Sequence, residues 1–170
     1  MDIRPTSDKL RETLFNVLTA GNPVALEGST WADLFAGTGA IGIEALSRGA
    51  GRVYFVEASR SAAQLIRANL DSLQSATGFD IIQADVAKTL RRWEAEAVAL
   101  DTVFLDPPFA QQKEYGGTLE ILGQAKILRA TATVIAEHLK KFDPGGEFGA
   151  LKRYRTLVQG DAALSFYRQS

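Results

Sequence analysis

Cysteine is absent from the 170 residues, and the chain holds one histidine, one methionine and five prolines. Without cysteine there is no disulfide framework, no thiolate zinc site and no cysteine nucleophile. His138 alone cannot build a multi-histidine metal site, and any Ser-His-Asp triad would have to run through it. No metal is expected. No apolar run approaches the ~18 residues of a membrane-spanning helix, and the N-terminus lacks an apolar signal core. A cytoplasmic chain with no membrane partner is the expectation. Neither sign of charge dominates: 19 Lys and Arg face 20 Asp and Glu, a net −1. That argues against a histone-like binder, but a local basic patch suffices for phosphate contact. Such a patch is available. Residues 1–85 hold 7 basic and 10 acidic residues (−3), whereas residues 126–170 hold 8 and 4 (+4).

What is present fits one globular domain over 1–170, expected to be a monomer, with 46% hydrophobic residues. Arg4-Pro5-Thr6-Ser7-Asp8 offers several N-caps, and Leu10, Leu14, Val17 and Leu18 follow at helical spacing. Gly21 to Gly28 reads as a loop. Strands are expected over 31–35, 52–57, 79–84, 102–105 and 131–137. Helices are expected over 40–48, 61–73, 86–93 and near 118–124. Residues 151–158 and 163–168, around Gly160-Asp161, read as a hairpin. Nearly continuous apolar strands alternating with helices imply a parallel sheet covered on both faces. The expected fold is therefore α/β: a doubly wound, mostly parallel, seven-stranded, Rossmann-like sheet with a C-terminal antiparallel β-hairpin.

Ligands of such sheets bind at the carboxyl ends of the strands. There the first strand runs through Asp33 and Phe35 into Gly37-x-Gly39-x-x-Gly42. Glycines let a backbone approach a ligand closely, and a helix N-terminus points free N–H groups at it. The pattern alone fits NAD(P) as well as other nucleotides, and it also fits a bare strand–helix turn. The acids discriminate. A carboxylate at Asp33 would repel a pyrophosphate but suits a cationic ligand. Glu57, ending the second strand, suits both hydroxyls of a ribose. Asp85, ending the third, suits an adenine amino group. Singly each acid reads equally well as a helix cap or a solvated loop residue; together they favour S-adenosylmethionine over a dinucleotide.

Asp106-Pro107-Pro108-Phe109 follows the fourth strand at the same sheet edge. Consecutive prolines fix φ and donate no hydrogen bonds, so this is a rigid corner with two acceptors, the Asp106 carboxylate and the Pro107 carbonyl. Two acceptors gripping an exocyclic amine would pull its nitrogen toward sp³ and aim the lone pair at a methyl donor. Phe109 would stack on a flipped-out base. The plain alternative is a rigid turn.

The stretches DLFAGTGAIGIEALSRGA (33–50), FVE (55–57), FLDPPF (104–109) and RPTSDKLRETLFNVL (4–18) resemble the bacterial 16S ribosomal RNA guanine-N2 methyltransferases of the RsmD type. The likeness continues through Glu137-His138, Lys152-Arg153-Tyr154 and Phe166-Tyr167. The resemblance implies a class I methyltransferase fold and S-adenosylmethionine as donor. It implies a guanine N2 of 16S ribosomal RNA, free or in a small-subunit assembly particle, as acceptor. It would have Asp33, Gly37, Gly39 and Glu57 hold the cofactor, Asp85 its adenine, and Asp106, Pro107 and Phe109 the target base. One end departs: only Met1-Asp2-Ile3 precede Arg4 where the family carries a basic arm.

Other residues have plainer readings. His138 reads as a satisfied structural histidine, Asn69 as a buried, hydrogen-bonded packing residue, and Trp31 and Trp93 as core. Arg4 and Thr6 are candidates to close over the cofactor, with an N-cap as the alternative for Thr6. Lys140-Lys141 and Lys152-Arg153-x-Arg155 read equally as phosphate contacts or solvated surface. Three other functions compete. An adenine-N6 DNA methyltransferase shares the D-P-P-aromatic motif but wants a separate target-recognition domain. An NAD(P)-dependent oxidoreductase leaves that motif without a role. A non-catalytic RNA-binding module would require neither motif.

Overall fold

The computed structural model describes residues 7–74, 76–108 and 110–170. Phe109, Arg4 and Thr6, with the expectations placed on them, lie outside the described residues. The order of elements is α1 (Asp8–Leu18), β1 (Thr30–Leu34), α2 (Ala40–Ser47), β2 (Arg52–Val56), α3 (Arg60–Asp71), β3 (Phe79–Ile82) and α4 (Val86–Ala95). Then follow β4 (Leu100–Leu105), α5 (Lys113–Gln124), β5 (Leu128–Leu139), β6 (Glu147–Phe148), β7 (Leu151–Gln159) and β8 (Ala162–Gln169).

One sheet orders its strands β3-β2-β1-β4-β5-β8-β7-β6. The first five are parallel, and β8 enters antiparallel between β5 and β7. The seven expected strands are all present, and the two-residue β6 adds an eighth, too short to leave a pattern in the sequence. Helix α5 starts at Lys113, five residues before the expected start, because Gly116 and Gly117 interrupt the apolar spacing of its first turns. Strand β5 is longer at both ends than residues 131–137, since β4 pairs with Leu128 at its start and β8 with Leu139 at its end.

Strand alternation sends side chains to two cores. Leu10, Leu14 and Phe15 of α1 pack with Ile41, Ala45, Ile66 and Leu70 of α2 and α3 over Trp31, Phe55, Phe104 and Ile135. Leu90 and Trp93 of α4 and Leu119 and Leu122 of α5 cover Leu34, Val56, Val103 and Val134 on the other face. Trp31 stacks on Phe15 at 5.6 Å between ring centroids. Ser7 caps α1, its Oγ accepting from Leu10 N at 3.2 Å. Burying a large apolar side chain contributes about 1.5–3 kcal/mol, so the two layers fix the sheet that carries the site.

The register then sets the site. Leu34 pairs with Val56 and with Leu105, Val56 with Ile82, and Leu105 with Ala136. Phe35, Glu57, Asp106 and Glu137, each one residue further on, consequently stand abreast along one edge.

Candidate active site

Strand β1 gives way to the glycine loop through a bend that few residues tolerate. Phe35 has φ +57°, Gly37 +59° and Gly39 +80°. A positive φ costs a non-glycine residue on the order of 1 kcal/mol or more and persists only where its surroundings impose it. The ties are visible. Glu57 Oε1 accepts from Gly37 N at 3.0 Å, and its Oε2 accepts from Ser59 N at 2.9 Å. One carboxylate thus clamps the loop to the end of β2. From the far side Asn69 Nδ2 donates to the Thr38 carbonyl at 2.9 Å. Asn69 is hydrogen-bonded, as expected, but half-buried where burial was expected, and its partner makes it a support of the loop. Its signal in the sequence was a polar residue on the apolar face of α3.

Gly42 explains its own place in the motif. A Cβ there would run into the Phe55 ring and lie 2.9 Å from Val53 Cγ1, so only glycine lets α2 sit this close to β2. That close approach brings Gly42 N within 3.0 Å of Asp33 Oδ2.

Asp33 lies beneath the loop rather than open within it. The residue is 2% exposed, and its partners on the neighbouring strands are Phe55 and Phe104. Burial pushes its carboxyl up from 3.8 to about 8. The Gly42 N–H opposes the shift, while the charges of Glu57 and Glu137 add to it. Desolvation disfavours the charged form and nearby negative charge disfavours it further. Asp33 is therefore mostly protonated at neutral pH, so the negative charge beside the loop is that of Glu57 and Glu137.

Asp85 is exposed and caps α4, its Oδ2 accepting from Lys88 N at 3.0 Å, three residues past the end of β3. Strand β3 stops at Ile82, two residues short of expectation. At the corner after β4, Asp106 N donates to Leu34 O at 3.4 Å, Pro107 is buried, and Pro108 is exposed with its carbonyl accepting from Gln111 N at 2.9 Å. Asp106 and Pro107 thus share an edge with the loop, Glu57 and Glu137. Glu137, 7% exposed, stands beside Asp106 two residues before the end of β5, and its backbone carbonyl accepts from Tyr115 Oη at 2.7 Å. Its signal was an acid closing an otherwise apolar strand.

His138 has the structural role expected of it. Its Nδ1 lies 2.8 Å from the Leu139 carbonyl and its Nε2 2.8 Å from Ser165 Oγ. A carbonyl only accepts, so Nδ1 carries the proton and Nε2 accepts from the Ser165 hydroxyl. Burial holds its pKa below the usual imidazole range. Arg153 extends this network, donating to Asp143 Oδ1 at 2.7 Å and to Ser165 Oγ at 3.5 Å. Arg153 therefore does not join Lys152 and Arg155 as a solvated basic patch. A bulge between Arg153 and Arg155 puts these two arginines on opposite faces of the sheet, which the K-R-x-R spelling hides.

Among the described residues no group of three His, Cys, Asp or Glu is arranged to hold a metal, and no helix is long and apolar enough to cross a membrane. The family described as "conserved hypothetical protein 95" matches residues 1–168. The Bacillus subtilis protein named "Putative rRNA methyltransferase YlbH" is 30% identical over 166 residues, 98% of this chain and 88% of that one. "Ribosomal RNA small subunit methyltransferase D" of Haemophilus influenzae is 38% identical over 108 residues, 63% of this chain and 53% of that one. The aligned stretch is thus about half the length of that enzyme. The solved structure of Escherichia coli yhhF superposes with a TM-score of 0.82 at 27% identity, covering 100% of this chain and 92% of that one. SMU.776, solved with S-adenosylhomocysteine, superposes at 0.72 with 17% identity, covering 94% of this chain and 48% of that one. The fold is that of Rossmann-like methyltransferases, and the chain belongs to the conserved hypothetical protein 95 family, the RsmD-type family that its sequence resembles.

Proposed function

We propose that this chain transfers a methyl group from S-adenosylmethionine to the exocyclic N2 of a guanine in small-subunit (16S) ribosomal RNA. The observation that carries the choice of cofactor is the electronegative, glycine-lined edge. Glu57 and Glu137 stand there, and their negative charge adds to the burial that raises Asp33 to about 8, a setting that favours a cationic sulfonium and ammonium and opposes a pyrophosphate. Glu57, Gly37 and Gly39 would hold the cofactor, with Asp33 setting the loop from below and Asp85 beside its adenine. Phe35 would line the pocket through its strained φ. When bound, S-adenosylmethionine supplies a methyl group activated by positively charged sulfur.

The protein's own work is at the acceptor. Asp106 and the Pro107 carbonyl accept the two N–H bonds of the amine and release its lone pair from the ring. Asp106 then receives the proton that becomes acidic as the new N–C bond forms. The proline pair holds the acceptors without reorganisation, the condition under which preorganised polar groups lower barriers most. Phe109 supplies the stacking face for the base. The name and 38% identity of the small-subunit relative support the RNA assignment. Calorimetry tests the cofactor: S-adenosylhomocysteine should bind and NAD(P) should give no heat. The reverse result overturns this reading.

A further inference from the structure

On the outer part of the sheet, three exposed side chains stack in a row on the edge of the core at Phe166, and the site uses none of them. The Arg168 guanidinium lies 4.5 Å from the Tyr154 ring centroid, Tyr154 lies 6.2 Å from Phe166, and the Arg155 guanidinium lies 5.9 Å from Phe166. Arg155 pairs with Phe166 across β7 and β8, and Lys152 pairs with Arg168, so these residues share one face. The bulge after Arg153 produces this arrangement; unbroken alternation would send Arg155 to the face of Arg153. Tyr154 is 43% exposed and is the one exposed large aromatic among the described residues. Arg155 and Arg168 are both exposed, and neither is ion-paired among the described residues. Lys152 stands opposite Glu147 in β6, and the two arginines are the charged groups that lie over the aromatic rings.

Exposed arginines stacked on aromatic rings are held with their N–H forks at the surface. That is the geometry for bidentate phosphate contact, with less entropy lost than by a free side chain. The face is also the right one. Phe166 belongs to the core layer on the side of Asp33, Phe55 and Phe104. Leu164 and Leu157 continue the row from Glu137 across β8 and β7. Three strand spacings of about 4.8 Å and two residues of rise of about 3.4 Å put Arg155 roughly 16 Å from Asp106.

We infer that Arg155, Arg168 and Tyr154 form a docking surface for the phosphate backbone of the substrate RNA, gripping it some 16 Å from the methylated base. This rests on the RNA reading above. The probe is a 16S ribosomal RNA transcript, with binding followed by fluorescence anisotropy from about 50 to 300 mM KCl in the presence of S-adenosylhomocysteine. Arg155→Gln with Arg168→Gln should weaken binding at least about five-fold and lower the salt slope by about 1.5, the release expected for two lost phosphate contacts. Tyr154→Phe should behave as wild type and Tyr154→Ala should not. In methylation assays the double variant should raise KM for RNA and leave kcat unchanged. An unchanged salt slope and KM, with S-adenosylhomocysteine still bound, overturns the surface, as does a wild-type protein that binds no RNA. Salt-sensitive binding lost in the double variant, without methyl transfer by wild type, upholds the surface and overturns the proposed reaction instead.

Discussion

Replacing Asp33 by Asn should make stability less dependent on pH, and the size of the effect follows from burial. The carboxyl titrates near 3.8 when unfolded and at about 8 when folded. Between those values the native state binds a proton that the unfolded state does not, so stability falls as pH rises. The loss runs at about 1.4 kcal/mol per pH unit for one proton. From pH 5 to pH 7.5 this single group removes on the order of 3 kcal/mol. Asparagine mimics the protonated acid: its Oδ1 can accept from Gly42 N as Asp33 Oδ2 does, and it never ionises. Urea unfolding of both proteins at half-unit steps isolates the group, because every other titration cancels in the difference. The variant should gain about 3 kcal/mol relative to wild type between pH 5 and pH 7.5. A difference that stays constant over that range would refute the assignment of a buried, protonated Asp33.

Glu57→Ala removes the clamp on Gly37 and Ser59, and S-adenosylhomocysteine affinity should fall by about 1.5–3 kcal/mol in calorimetry. Gly42→Ala should destabilise the fold by about 1–3 kcal/mol in denaturant unfolding, because its Cβ meets the Phe55 ring. Gly116→Ala should instead stabilise by about 0.5–1 kcal/mol, since nothing lies within 4 Å of the added methyl in the helix; a drop in melting temperature would contradict it.

How far the sequence reveals this protein depends on where the determining contact lies. Apolar runs and turn glycines are local, so seven strands, the order of helices and the glycine loop are all legible. The abreast placement of Glu57 and Asp106 follows once a parallel sheet is recognised. What escapes is decided across the chain. Asp33 reads as an open ligand acid because nothing near it in sequence announces that Phe55 and Phe104 will flank it. Of the two readings open for Asp85, strand-end ligand or helix cap, the structure shows the cap, and only the end of β3 at Ile82 separates it from a strand. Arg153 joins a basic spelling, but a bulge and a partner ten residues upstream turn it into the buried network around His138. Helix α5 was blurred by two glycines that its packing does not require.

The most direct test of the central claim is digestion of 16S ribosomal RNA to nucleosides after incubation with labelled S-adenosylmethionine, for wild type and Asp106→Ala. Wild type should place label on N2-methylguanosine. Asp106→Ala should do so at least about 10²-fold more slowly in a single turnover while still binding S-adenosylhomocysteine. Label on adenine N6, no label on RNA, or transfer by Asp106→Ala at the wild-type rate would contradict the account.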